Sequence, residues 1–202
     1  MAKKLFPELA QYISMAMTPM VLTARLAKNK LGRDIKITFV GPCAAKKLEA
    51  SRRTIRSDVD FVLTFEELMG MFEAKGVNFD TLEAEPGDDF QHASADGRGF
   101  AASGGVAQAV VNAIKQMDPD REVKVASAQG LADCKRLLMM ARAGKYNGYL
   151  LEGMGCPGGC VGGAGTLADP AKAAAALAKY SAEAPMKHST ESPYEIDLAF
   201  LK

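Results

Sequence analysis

The 202 residues include 25 basic and 24 acidic side chains, and a formal charge of +1 gives no basic footprint for nucleic acid or an anionic membrane. The chain is long enough to bury a core, and four cysteines are too few for a disulfide scaffold. No apolar run approaches the roughly 20 residues of a membrane span, and Ala2-Lys3-Lys4-Leu5-Phe6-Pro7 never becomes a signal-peptide core, so a reducing cytoplasm is the expected compartment.

Residues 5–31 carry helical periodicity through Met15, Met17, Met20, Val21, Leu22 and Leu26, interrupted at Pro19, with Thr18 as the cap. The methionine face reads as core. Ile35 to Val40 alternates and stops at Gly41-Pro42, which predicts a strand, and Ala44 to Arg53 resumes as helix. Asp60 to Thr64 predicts a second strand, and Thr64 with Glu67 has capping-box spacing for the helix that follows.

Asn78 to Gly99 reads as a surface excursion, after which Ser103-Gly104-Gly105 opens a helix through Met117. Glu122 to Ser127 is a third strand, Leu131 to Ala143 an amphipathic helix, Tyr146 to Glu152 a fourth strand and Pro170 to Tyr180 an Ala-rich helix. Strands alternating with helices predict an α/β fold: a roughly four-stranded parallel sheet with crossover helices, and ligand loops at the carboxyl ends of the strands. The expected organisation is one domain over 1–202, with a helical segment 1–34, an α/β core 35–165 and a helical tail 166–202.

The fourth strand runs into Cys156-Pro157-Gly158-Gly159-Cys160, with further glycines on both sides. Thiolates suit zinc, copper(I) or an iron–sulfur cluster. The glycines predict close approach of the main chain to a bound object, with amide N–H groups aimed at it. An isolated C-x-x-x-C is as often a turn with two buried thiols, and the flanking glycines favour a site. Cys43 stands at a predicted strand end and helix start beside Lys46 and Lys47, an electropositive nest for a sulfur ligand. In isolation Lys46 would be a solvated helix charge.

Cys134 shares a helical face with Leu131, Leu137, Leu138 and Ala141 and reads as core. His92 and His188 lack partners at ligand spacing. There is no Ser/His/Asp elbow, P-loop or dinucleotide fingerprint.

Pro42-Cys43-Ala44-Ala45-Lys46-Lys47-x-Glu49, followed far along the chain by Glu152-x-Met154-x-Cys156-Pro157-Gly158-Gly159-Cys160-x-Gly162-Gly163, resembles the second and third signature motifs of the iron-only, or [FeFe], hydrogenases. The likeness extends over about residues 5–165. It implies an H-cluster: a four-iron, four-sulfur (4Fe-4S) cubane joined through a cysteine sulfur to a diiron subcluster bearing carbonyl, cyanide and a bridging dithiolate. By motif position Cys43, Cys156 and Cys160 would be cubane ligands, with Cys160 shared with the two irons. Lys46 would donate to a cyanide and Met154 would pack beside the bridging carbonyl. Ser14 would be a proton-relay hydroxyl, Pro19 would lie with Thr18 at the cluster wall, and Ala101 stands where a glycine amide approaches the two irons.

Met20, Gly41 and Ala101 depart from the enzymes' usual Gln, Met and Gly, and Gly-Pro-Cys-x-x-Lys-Lys with Glu-Gly-Met resembles a hydrogen-sensing branch. The family's first motif, Cys-Cys-Pro, is expected just before the Phe6-Pro7 stretch, so the chain reads as a fragment with three of four cubane ligands. The implied activity of the parent, an oxidoreductase, is interconversion of protons, electrons and H2. The fragment alone is expected to be inactive, with its cofactor absent or incomplete. Expected partners are H2 and protons, an electron-transfer protein or ferredoxin-like domains, and sensory or signalling domains of the parent, with no nucleic acid or membrane. The alternatives are an H2-sensing regulatory domain and a hydrogenase-like iron–sulfur scaffold without the diiron unit.

Overall fold

Pro19 decides how the first helical stretch is built, because a residue without an N–H begins a helix far more readily than it continues one. In the computed structural model, which describes residues 1–55, 58–83 and 93–192, the periodic segment is divided into a short helix Ala2–Leu5 (α1), a 3-10 turn Pro7–Tyr12 and a helix Pro19–Leu31 (α2). The methionine face is divided with it. Met20 is buried and Met17 packs against the core, whereas Met15, ahead of the proline, is 89% exposed.

The chain forms two compact units, residues 1–82 with 162–169, and residues 83–161 with 170–202. In the first, Thr38–Val40 (β1) leads through Ala44–Ala50 (α3) to Phe61–Leu63 (β2), and Phe65–Ala74 (α4) follows. The two strands pair in parallel with Phe39 opposite Val62. Met20, Val21 and Ala24 of α2 meet Val59, with Ile37, Phe39 and Val62 packed around them. The capping box at α4 is complete: Glu67 N–H donates to the Thr64 hydroxyl (3.2 Å) and Thr64 N–H to the Glu67 carboxylate (2.8 Å). Such a cap contributes about 1 kcal/mol.

Behind β2 lies an ionic hub. The Asp60 carboxylate accepts from Lys28 Nζ (2.9 Å), Lys36 Nζ (3.2 Å) and Ile37 N–H (2.9 Å). The Ile37 amide, then the Lys28 ammonium, hold Asp60 far below the usual carboxylate range against the opposing pull of desolvation.

In the second unit a five-residue helix Ala95–Gly99 (α5), capped by Ser94, precedes Gly105–Met117 (α6). Lys124–Gln129 (β3) then passes through Leu131–Arg142 (α7) to Tyr149–Met154 (β4), and Pro170–Ala182 (α8) comes last. β3 and β4 are parallel, with Ala126 opposite Leu151. The α/β class with crossover helices is therefore present. Among the described residues, however, the four strands are joined as two separate pairs, β1–β2 and β3–β4, rather than as one four-stranded ladder. Periodicity identifies a strand but not its partner. His92 lies outside the described residues.

Candidate functional site

The first unit contributes Cys43. Gly41 N–H extends the ladder to Leu63 O (3.0 Å), and Cys43 N–H then donates to Gly41 O (2.9 Å), so the chain turns tightly at the end of β1. Cys43 is the residue before α3, half-buried, and its side chain makes no cap bond. Glycine at 41 has a local reason: a Cβ there would come within 2.9 Å of the Phe39 ring.

Three residues on, Lys46 Nζ donates to Glu49 Oε2 (2.6 Å), and Glu49 Oε1 accepts from the Thr18 hydroxyl (2.6 Å). Burial pushes the Glu49 carboxyl up, but the hydrogen bonds from Lys46 and Thr18 outweigh it and hold the group below its ordinary value. Ser14 is exposed and accepts Ala16 N–H (3.2 Å), and Pro19 is exposed at the start of α2.

The second unit contributes Cys156 and Cys160. β4 ends at Met154, whose carbonyl accepts Gly130 N–H (2.9 Å), and Gln129 at the end of β3 reaches over to accept Gly158 N–H (2.5 Å). The loop is fastened on its other side to the segment before α6: Ser103 N–H donates to Gly158 O (3.0 Å) and Val161 N–H to Ala101 O (3.2 Å), with Ala102 and Gly159 forming an antiparallel bridge. Ala101 is thereby brought beside the Cys-Pro-Gly-Gly-Cys loop. Gly159 makes this possible. Its φ is +100°, and a Cβ would stand 2.6 Å from Ser103 N and 2.7 Å from Ala101 O.

This alters the reading of the glycines. Gly159 lets the protein's own backbones approach, and the N–H groups of Gly158, Gly159 and Val161 are taken by Gln129, Cys156 O and Ala101 O rather than aimed at a guest. The two thiols are the distinctive chemistry that this loop offers. Both are half-buried, and all four cysteines of the chain are thiols rather than disulfides.

Glu152, named in the motif without a role, has one here. Its buried carboxylate accepts Gly104 N–H (2.6 Å) and Ala107 N–H (2.7 Å) at the amino end of α6, where Gly104 has no side chain with which to cap. Two residues before Met154, it ties the strand that leads to the cysteines to the helix that follows Ala101. Glu152, Gln129 and Glu49 carry no periodic signal that would mark them.

Cys134 is buried, as its helical face predicts, with Sγ 3.6 Å from Ala128 O and 3.5 Å from Met154 O. Burial pushes its thiol pKa up. It packs between α7 and β4.

The glycine run that follows Cys160 returns to the first unit. Gly165 N–H donates to Pro42 O (3.3 Å), the residue before Cys43, and Gly165 O accepts Phe65 N–H (3.2 Å). A Cβ at Gly165 would lie 2.6 Å from the Thr64 side chain. Cys43 belongs to one unit and Cys156 with Cys160 to the other. Among the described residues no group of three or more His, Cys, Asp or Glu is assembled to hold a metal ion. The donor set itself, soft thiols in glycine-rich turns, fits an iron–sulfur cluster in ligand type and provides three of the four thiolates of a cubane.

Residues 1–164 match the family described as iron only hydrogenase large subunit, C-terminal domain, and the chain belongs to that family. Among its relatives, the periplasmic [Fe] hydrogenase large subunit of Nitratidesulfovibrio vulgaris is 29% identical over 81% of this chain and 48% of that protein. The cytosolic iron-sulfur assembly component 3 of Rattus norvegicus is 28% identical over 79% of this chain and 42% of that protein. A variant of the [FeFe]-hydrogenase HydA1 from Chlamydomonas reinhardtii shares the fold, with a TM-score of 0.70 at 23% identity over 96% of this chain and 66% of that one. The chain spans less than half the length of these curated relatives. No helix among the described residues is long and apolar enough to cross a membrane.

Proposed function

We propose that the chain carries the larger part of the H-cluster pocket of an iron-only hydrogenase, whose whole protein interconverts protons, electrons and H2. In this reading Cys43, Cys156 and Cys160 would hold the iron–sulfur cubane, and Cys160 would also serve the diiron unit. The observation that carries it is the family match over residues 1–164, which takes in all three of these half-buried thiols.

When bound, the diiron unit would supply the heterolysis of hydrogen, and the protein's part is ligation, orientation and exclusion of water. Lys46 would offer its ammonium to an anionic ligand while one of its N–H donors is held by Glu49. Met154 and Ala101 sit on the two stretches of backbone that frame the cysteine loop and would be apolar wall there, and Pro19 would have the same part in the first unit. Ser14, whose Oγ accepts from Ala16 N–H, keeps its own hydroxyl proton to pass on. Electrons would come from ferredoxin-like domains or a partner protein, and the proposed compartment is the cytoplasm.

The test is anaerobic reconstitution of the chain with ferrous iron and sulfide, followed by iron analysis and electron paramagnetic resonance. Cluster incorporation that falls to background in Cys43→Ser, Cys156→Ser and Cys160→Ser, but is unchanged in Cys134→Ser, is the expected result. Loss in Cys134→Ser with retention in Cys43→Ser would contradict the ligand set. Three thiolates leave one iron without a protein ligand, so this chain alone is expected to show no hydrogen turnover.

A second reading is favoured by a specific observation: a curated iron–sulfur assembly component is as similar to this chain as a hydrogenase is, at 28% against 29% identity. In that reading the same thiols hold a cluster for assembly or scaffolding, with no diiron unit. An H2-sensing role for the parent keeps the cluster and differs in turnover. Slow hydrogen evolution by the full-length matured protein, together with fused signalling modules, would identify it.

A further inference from the structure

Thr18 is placed as a helix N-cap and does not act as one. A threonine before a helix usually turns its oxygen onto the amide two or three residues ahead, which contributes about 1 kcal/mol, yet Thr18 makes no such bond to α2. Its hydroxyl instead donates across 31 residues to Glu49 Oε1 at 2.6 Å, and the other oxygen of the same carboxylate accepts Lys46 Nζ, also at 2.6 Å. Each contact is charge-assisted and short. The three side chains are partly buried, with 23% of the Lys46 side chain and 16% of the Glu49 side chain exposed.

A lysine three residues from a glutamate on an exposed helix face swings freely, and such pairs are weak. Here the carboxylate is pinned from a second element. Rotating Glu49 away from Lys46 would also break the bond to Thr18, so the ammonium is held against Glu49 on α3, the helix that follows Cys43. One of its three donors is on Glu49. The other two meet no acceptor among the described residues.

We propose that Thr18 and Glu49 are positioning residues for Lys46, forming a Thr–Glu–Lys relay that anchors α2 to α3 and presents the ammonium in one orientation to the anionic ligand of the cluster. This inference rests on the reading of Lys46 as the cluster's cationic partner. It gives a role to Glu49, which the Cys-x-x-Lys-x-x-Glu pattern names without one, and it explains why the residue before Pro19 carries a hydroxyl.

The test uses the full chain without cluster. Acylation of lysines by a limiting amine-reactive ester is followed residue by residue by mass spectrometry, with Lys47 in the same peptide as the internal standard. Thr18→Val, which keeps the shape and removes the donor, is expected to raise the Lys46 rate about threefold. Glu49→Gln is expected to raise it about tenfold, since hydrogen bonds to charged groups are the stronger class. Lys47 should react at its original rate in both, and Thr18→Ser should restore Lys46.

A merely structural contact would alter melting without altering the ratio of Lys46 to Lys47. An unchanged ratio in folded Thr18→Val overturns the relay, and if that variant does not fold, an unchanged ratio in Glu49→Gln does so. In the matured full-length protein Thr18→Val should also shift a cyanide infrared band. A relay intact by labelling but no cyanide band in the parent overturns the purpose assigned to Lys46, so the two failures are read apart.

Discussion

The carboxylate of Glu152, in the strand that leads to the cysteine loop, accepts the backbone N–H groups of Gly104 and Ala107 at 2.6 and 2.7 Å and so caps a helix from another element. Glu152→Gln keeps the volume but turns an amide donor toward two N–H groups and removes the negative charge from the positive end of α6. It is expected to lower stability by about 1–3 kcal/mol, measured by urea unfolding, with Glu152→Ala costing at least as much.

Gly159→Ala places a methyl group against the backbone of Ala101 to Ser103 and forces a left-handed conformation on alanine. Backbone cannot rotate away as a side chain can. A loss of roughly 2–4 kcal/mol is expected, with faster amide exchange at Ser103 and Val161, whose N–H groups bond across this approach. Equal exchange in the variant and the parent chain would show that the loop is held by other means.

Acid should weaken the first unit through Asp60. A carboxylate whose folded pKa is depressed contributes stability that is complete above its unfolded value, about 3.9, and is lost as pH falls toward the folded value. Asp60→Asn should therefore melt below the parent chain at pH 7, and the gap should close as pH drops below about 4. Glu67, held down by Lys47 and by Thr64 N–H, acts with the same sign. A gap independent of pH would mean that Asp60 acts by packing and not by charge.

Cys134 differs from the other thiols because α7 and β4 cover it and burial pushes its pKa up, with Asp133 adding to the shift. Iodoacetamide at neutral pH should modify it at least about tenfold more slowly than Cys43, Cys156 or Cys160 in the native chain, and at a comparable rate once the chain is unfolded. Mass spectrometry of the alkylated peptides reads this directly.

How far the sequence foretold this structure follows from the range over which each feature acts. Thr64 and Glu67 stand three residues apart and their capping box is complete, because both partners lie within one turn. Cys134 is buried as its helical period requires. The break expected at Pro19 is present, but residues 13–18 ahead of it form no helix, and Met15 among them is solvent-exposed. Glu152 acts on amides 45 and 48 residues away, and Thr18 on a carboxylate 31 residues away. No local pattern encodes such pairs. The glycines around Cys156 and Cys160 were legible as unusual, but not that Gly159 serves the approach of Ala101 to Ser103, since neither segment names its neighbour. The division of four strands into two pairs was likewise hidden, because alternation fixes a strand's faces and not its partner.

The central claim is that the thiols of Cys43, Cys156 and Cys160 belong to a pocket for a diiron unit and not only to an iron–sulfur site. Infrared spectroscopy of the full-length protein, matured with the hydrogenase maturation machinery, tests it most directly. Bands of iron-bound carbonyl and cyanide that vanish in Cys160→Ser are the predicted result. An intact four-iron signal in the magnetic resonance spectrum with no such bands would contradict it and leave the scaffold reading in its place.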